Sequence, residues 1–198
     1  MKKVTVSTLA KRKISGEKLV MVTAYDAIQS RLCAAAGIDF LLVGDSVGMT
    51  HLGYDNTLPV TMQDMLAHTV AVRRGSPEAF VVFDMPFMSY QTSEADALNN
   101  AGIAMKTTGA DAVKLEGGAE YASLIAKMTE AGIPVMGHIG LMPQRVQVCG
   151  GFKAVGKDES SAEKVLADAL ALQDAGVFAI VLECIPEALG KKITEKLH

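Results

Sequence analysis

The sequence predicts a (β/α)8 barrel, read as one domain over residues 1–198 with a short helix ahead of the first strand. Three observations predict it. Apolar runs of strand length alternate without interruption with helix-length segments, which calls for a parallel sheet with helical crossovers. The helix exits repeat one pattern, Ala36-Gly37-Ile38, Thr108-Gly109-Ala110, Ala131-Gly132-Ile133 and Ala175-Gly176-Val177, in which a glycine hands a helix over to a buried strand. Ionisable residues end five of the strands, at Asp45, Asp84, Glu116, His138 and Glu183, and such barrels carry their chemistry at the C-terminal ends of several strands. A doubly wound open sheet would carry a GxGxxG or P-loop after its first strand, and neither stands there.

Taken in order, Ser7 is placed to cap a helix from Thr8 to Lys13, and Leu19 to Ala24 reads as a first buried strand. Asp26 caps a helix from Ala27 to Ala36, stopped by Gly37. The second strand, from Phe40, delivers Asp45 to a flexible exit, Ser46-Val47-Gly48. A long polar loop follows to Pro59, then Thr61-Met62-Gln63-Asp64 opens a helix to Arg74 as a capping box, closed by Gly75. Phe80 to Asp84 is the third strand and Ala112 to Glu116 the fourth, each ending in an acid and followed by a helix, from Glu94 to Lys106 and from Glu120 to Glu130. Pro134 to His138 is the fifth strand. A Gly-containing loop to Glu159, a helix from Ser161 to Asp174, the strand Phe178 to Glu183 and a helix from Pro186 complete the chain. Six strands are therefore expected where a full barrel has eight and typically ~250 residues. The last two βα units are expected to be absent, leaving two open edges, a liability for a lone chain.

Composition narrows the class. The chain is 49% hydrophobic, with 18 Gly and no Trp, as expected of an enzyme packed with Ala, Val, Leu and Ile. Net charge is −3, and Lys11-Arg12-Lys13 and Arg73-Arg74 read as solvated faces, which argues against nucleic acid or membrane partners. No stretch reaches the ~20 apolar residues of a membrane helix, and the start, Met1-Lys2-Lys3-Val4, has no apolar run behind it to make a secretory signal. Cys33, Cys149 and Cys184 fall in no metal or redox spacing; Cys33 and Cys184 read as buried thiols, and a cytoplasmic location is expected.

Asp45, Asp84 and Glu116 end successive strands, so three carboxylates would face one another at one rim. Their repulsion is removed by a hard divalent cation, and an all-oxygen ligand set suits Mg²⁺. The plain alternative is that each acid caps a helix or pairs with a nearby base. Lys114 projects to the same face as Glu116, where it could receive a substrate carboxylate or a developing enolate oxygen, or simply form a buried Lys–Glu pair. Glu183 lies among Leu182, Cys184 and Ile185. An apolar setting would raise its pKa and suit it to general-base work, with helix capping as the alternative. His138 either bonds substrate or satisfies an interior network. His51 and His68 read as loop and helix-surface residues. A metal, an enolate stabiliser and a separate base describe an aldol or Claisen-type reaction on a 2-keto acid.

Several stretches together resemble one family. They are Thr23-Ala24-Tyr25-Asp26, Leu42-Val43-Gly44-Asp45-Ser46-Val47-Gly48-Met49, Thr57-Leu58-Pro59-Val60-Thr61, His68-Thr69-Val70-Ala71-Val72-Arg73-Arg74-Gly75, Asp84-Met85-Pro86-Phe87-Met88, Val113-Lys114-Leu115-Glu116-Gly117-Gly118, Gly137-His138-Ile139-Gly140-Leu141-Met142-Pro143-Gln144 and Leu182-Glu183-Cys184-Ile185-Pro186. The resemblance is to the ketopantoate (3-methyl-2-oxobutanoate) hydroxymethyltransferases and runs through essentially the whole chain. It implies a (β/α)8 barrel that transfers a one-carbon unit from 5,10-methylenetetrahydrofolate to 3-methyl-2-oxobutanoate, giving 2-dehydropantoate on the way to pantothenate and coenzyme A. It also implies a Mg²⁺ site of Asp45, Asp84 and Glu116, and keto-acid contacts from Asp45, Ser46, Asp84 and Lys114. Glu183 matches the proton acceptor, and the family's assembly is a cyclic homo-oligomer, commonly a decamer. Two other readings remain. One is a lyase or mutase of the phosphoenolpyruvate mutase and isocitrate lyase group, whose lyases carry a Lys-Lys-Cys-Gly-His stretch where this chain has Val148-Cys149-Gly150-Gly151. The other is an inactive remnant that folds only within an oligomer, or not at all.

Overall fold

A computed structural model describes residues 4–198; Met1, Lys2 and Lys3, whose charge entered the reading of the chain start, lie outside the described residues. The chain divides into two compact units, Met1–Val113 and Lys114–His198. The first holds α1 (Val6–Ser15), β1 (Met21–Thr23), α2 (Ala27–Ala35), β2 (Phe40–Val43), α3 (Val47–Thr50), α4 (Met62–Gly75), β3 (Phe80–Asp84) and α5 (Glu94–Thr108). Strand β4 (Ala112–Glu116) straddles the division. The second holds α6 (Ala122–Glu130), β5 (Val135–Gly140), α7 (Val146–Cys149), α8 (Glu159–Asp174), β6 (Ala179–Glu183) and α9 (Glu187–Lys196), with 3-10 turns at Ala119–Tyr121 and Pro143–Arg145. This is the βα alternation of the (β/α)8 TIM-barrel class, with six βα units among the described residues.

In the first unit β1, β2 and β3 pair in parallel, Met21 opposite Phe40 and Phe40 opposite Phe80. All five residues of β3 are buried, as are Phe40, Leu41 and Val43 of β2. A side chain buried to this degree contributes roughly 1.5–3 kcal/mol. These near-continuous apolar strands, covered on both faces, are what a parallel sheet requires. Strand β1 departs from expectation. It is three residues long, and Val20 and Met21 remain 49% and 37% exposed, so the first strand is not buried. Among the described residues of its unit it pairs with β2 on one side, which leaves its other edge without a layer.

The helix starts follow the chemistry of their caps. Asp26 accepts from the N–H groups of Ile28 and Gln29 at 2.7 and 2.8 Å, as expected. Thr61 and Asp64 form the expected capping box, and its bonds from Thr61 hold the Asp64 carboxyl below its ordinary pKa. Helix α1 begins earlier than expected because Thr5, not Ser7, caps it: Thr5 and Thr8 exchange side-chain-to-backbone bonds. At the helix exits Gly37, Gly109, Gly132 and Gly176 all have positive φ, from 71° to 92°. Gly75 is different. It stays inside α4, and a Cβ there would stand 2.4 Å from the carbonyl oxygen of Ala27, so it allows α2 and α4 to approach closely rather than stopping the helix. Gly75→Ala is therefore expected to lower stability by about 1–3 kcal/mol, read as a drop in Tm.

In the second unit β5 and β6 pair in parallel, Met136 opposite Ala179 and Gly140 opposite Glu183. Strand β5 runs two residues past His138, so the histidine lies within the strand and not at its end. The glycines make this possible: a Cβ on Gly140 (φ 94°) would meet the Glu183 carbonyl oxygen at 2.3 Å. Cys33 is half-buried and Cys184 exposed, so neither is the buried thiol expected. No helix among the described residues is long and apolar enough to cross a membrane.

Candidate functional site

The first unit brings Asp45, Ser46 and Asp84 together. Val43 of β2 pairs with Phe83 of β3, so each strand releases its acid just beyond the last paired residues. The Asp45 N–H donates to Asp84 Oδ2 at 3.1 Å, and the two residues are 3% and 2% exposed. Gly44 leaves the space these groups use, since a Cβ there would lie 2.7 Å from Ser46 Oγ and 3.7 Å from Asp84 Oδ2. Helix α3 begins directly after Ser46, which turns the chain away from the strand. The exit of β3 is equally fixed, with Ser89 Oγ donating to the Pro86 carbonyl and Asn100 Nδ2 to the Ser89 carbonyl, both at 2.6 Å.

Sequence reasoning assigned no role to Tyr25, yet its hydroxyl lies 2.8 Å from Ser46 Oγ. Tyr25 is held on every side. Its N–H donates to Gln29 Oε1, its carbonyl accepts from His68 Nδ1 at 2.8 Å, and its ring lies 4.5 Å from that of His51. His51, exposed in the turn after α3, and half-buried His68 on α4 keep the loop and helix-surface positions expected, and both touch Tyr25. A Thr-Ala-Tyr-Asp stretch leaving a strand offered a hint, but the reach from Tyr25 to Ser46 depends on β1 lying beside β2.

The second unit holds Lys114, Glu116, His138 and Glu183. Lys114 and Glu116 alternate with apolar neighbours on β4 and are 4% and 3% exposed. Glu116 Oε2 accepts the Gln144 N–H at 3.0 Å, and its Oε1 lies 3.7 Å from His138 Nδ1. His138 Nε2 stands 3.1 Å from Glu183 Oε2. Buried His138 therefore sits between two carboxylates. Gln144 contributes through its backbone, which no side-chain pattern announces.

Glu183 overturns one expectation. Its carboxyl lies below its ordinary pKa of 4.5, not above it. The bond from the His138 side chain is the largest cause; burial pushes the other way, and the charges of His138 and Lys114 add to the lowering. Apolar sequence neighbours suggested burial, but the Glu183 side chain is 37% exposed and its surroundings come from β4 and β5. Glu183 is thus ionised at neutral pH.

The donor set fits a hard cation. Mg²⁺ is commonly held through one or two carboxylates, with water and substrate oxygens completing its octahedron. Asp45 and Asp84 supply such a pair, both buried and released from adjoining strands. Among the described residues no group of three or more His, Cys, Asp or Glu could hold a metal by itself.

Comparison with known proteins adds to this geometry. The family model described as ketopantoate hydroxymethyltransferase matches residues 3–198. A 3-methyl-2-oxobutanoate hydroxymethyltransferase of Carboxydothermus hydrogenoformans is 59% identical over 197 residues, covering 100% of this chain and 71% of that protein. A protein of the same name from Syntrophus aciditrophicus is 52% identical over 196 residues, covering 99% and 72%. Among solved structures, 2,3-dimethylmalate lyase, a PEP mutase/isocitrate lyase superfamily member, is similar with a TM-score of 0.67 at 17% identity, covering 98% of this chain and 66% of that one. Phosphonopyruvate hydrolase, solved with oxalate and Mg²⁺, is similar with a TM-score of 0.69 at 14% identity, covering 98% and 70%. Identities this low speak for the TIM-barrel fold alone. The sequence matches decide the family: matched from residue 3 to residue 198 and more than half identical to these relatives, the chain belongs to the ketopantoate hydroxymethyltransferase family.

Proposed function

We propose that this chain transfers a hydroxymethyl group from 5,10-methylenetetrahydrofolate to 3-methyl-2-oxobutanoate, giving 2-dehydropantoate for pantothenate biosynthesis. Family membership supports the reaction. The observation that carries the mechanism is the ionised Glu183, in contact with buried His138 and within the field of Lys114. Glu183 takes the proton from C3 of the keto acid, and the electron pair of that C–H bond forms the new C–C bond to the folate's one-carbon unit. The unit's two C–N bonds break with their electron pairs staying on the folate nitrogens; water supplies the hydroxyl and one proton to these nitrogens, and the proton taken from C3 supplies the other. Lys114 faces the negative charge that develops on the keto-acid oxygen, a role that matters more in the transition state than in the ground state. His138 then helps Glu183 to hold and release the proton.

By the same family reading, Asp45 and Asp84 would hold Mg²⁺ directly and Glu116 through water, with Asp45, Ser46, Asp84 and Lys114 placing the keto acid. When bound, the cation supplies Lewis-acid polarisation of the keto oxygen. Ser46 binds the substrate carboxylate with its hydroxyl oriented by Tyr25. Tyr25→Phe removes one hydrogen bond worth about 1 kcal/mol, so the keto-acid KM is expected to rise several-fold with kcat nearly unchanged; an unchanged KM would argue against this role. A cytoplasmic location and a homo-oligomer, of decamer type, belong to the same reading. The test is direct assay of 2-dehydropantoate from the two substrates, with and without Mg²⁺. Cleavage of 2,3-dimethylmalate in place of condensation would favour the lyase reading. A folded chain inert in both assays would favour the inactive remnant.

A further inference from the structure

The chain leaves β4 through Gly117-Gly118, directly after Glu116. Two adjacent glycines have the widest choice of backbone conformation, so something must select one. Three contacts do. The Gly117 N–H donates to the His138 carbonyl at 3.0 Å, which ties the exit of β4 to the residue between Glu116 and Glu183. A Cβ on Gly117 would meet the Tyr121 ring at 2.2 Å, so one edge of the ring lies close against the backbone. The third contact comes from α8: Asp168 Oδ1 accepts the Ala119 N–H at 3.1 Å, and a Cβ on Gly118 would stand 2.2 Å from Asp168 Cγ. The carboxylate therefore rests on the Gly118 backbone. Asp168 is 9% exposed, and Lys164, one helical turn before it, reaches both its oxygens at 3.2 and 2.9 Å.

A carboxylate this buried is costly where packing is the sole need. Here it supplies an acceptor that an apolar side chain could not, at the turn following a proposed ligand residue. We propose that Asp168 is a positioning residue for the reaction proposed above: by fixing the Gly117-Gly118-Ala119 turn from α8, it sets the placement of Glu116 and, through the Gly117–His138 bond, of His138. It acts on the chemistry only through these groups. The inference rests on the proposed reaction for its kinetic arm and is independent of it for its structural arm.

The test uses the full chain with Asp168→Ala and Asp168→Asn. Deuterium exchange at C3 of 3-methyl-2-oxobutanoate gives kcat and KM, amide hydrogen exchange follows Gly117 and Ala119, and thermal melting follows stability. Asp168→Ala is expected to lose at least tenfold in kcat, with KM within about twofold, and to lose protection at Gly117 and Ala119. Asp168→Asn keeps an oxygen for the Ala119 N–H and is expected to recover most of the kcat. A lower Tm with kcat and protection unchanged would make Asp168 merely structural and overturn the proposal. If Asp168→Ala does not fold, the wild type still decides: the Ala119 amide should exchange with the β4 core, and exchange as fast as an open loop would overturn the clamp. A wild type that shows no C3 exchange would count against the reaction alone, and the amide data would then judge Asp168 by themselves.

Discussion

Glu183→Gln is expected to abolish C3 proton abstraction, with a loss of about 10²–10⁴-fold, the usual share of a positioned base. The substitution keeps shape and one acceptor oxygen but removes the charge and the basicity. The pH profile should tell the same story. Contact with His138, and then the charges of His138 and Lys114, hold the Glu183 carboxyl below 4.5. The acidic limb of kcat/KM that belongs to Glu183 is therefore expected below pH 4.5, and not near neutrality as an apolar pocket would give. Stability follows with a definite sign. A carboxyl whose folded pKa is depressed contributes stability that is present above its unfolded value and lost as pH falls through the folded one. Glu183→Gln should thus be slightly less stable than wild type at neutral pH, and the gap should close as pH drops below that folded value. The gap is small because the side chain is 37% exposed and its interactions are screened by solvent. Exchange unchanged in Glu183→Gln would remove Glu183 from the mechanism.

Asp84→Asn is expected to have the second large effect, by a different route. The amide oxygen can still accept the Asp45 N–H, so the exits of β2 and β3 should persist. What disappears is half of a buried acidic pair and, with it, the hold on the cation. Lewis-acid stabilisation is worth several kcal/mol, so activity should fall on the order of 10³-fold. Mg²⁺ should stabilise wild type by about 2.7 kcal/mol at a hundredfold excess over Kd and the variant hardly at all. An equal Tm rise with Mg²⁺ in both proteins would place the metal elsewhere.

The strands were legible because β3 is an unbroken apolar run ending in an acid, and β4 is an apolar run interrupted by Lys114 that ends in one too; both have the expected bounds, Phe80–Asp84 and Ala112–Glu116. The caps at Asp26 and Thr61 were legible because side chains and N–H groups three residues apart settle them locally. What was missed depends on approach across the fold. Gly75 looked like a helix stop, but its packing against Ala27 is a tertiary fact. His138 looked like a strand end because the next residues are Ile139-Gly140, and pairing with β6 carries the strand on. Glu183 was assigned a raised pKa from its apolar sequence neighbours, whereas the groups that set its ionisation, His138 and Lys114, stand on β5 and β4. Tyr25 and Asp168 act at a distance in sequence of 21 and 49 residues, beyond the reach of any local pattern.

The central claim is that this chain deprotonates a 2-keto acid at C3 with the help of a divalent cation. Incubating the full chain with 3-methyl-2-oxobutanoate in D₂O, without folate, and following the C3 proton by NMR measures that step alone. The account predicts exchange that requires Mg²⁺ and stops on chelation. A folded chain that binds Mg²⁺ and the keto acid yet leaves the C3 proton in place would contradict it.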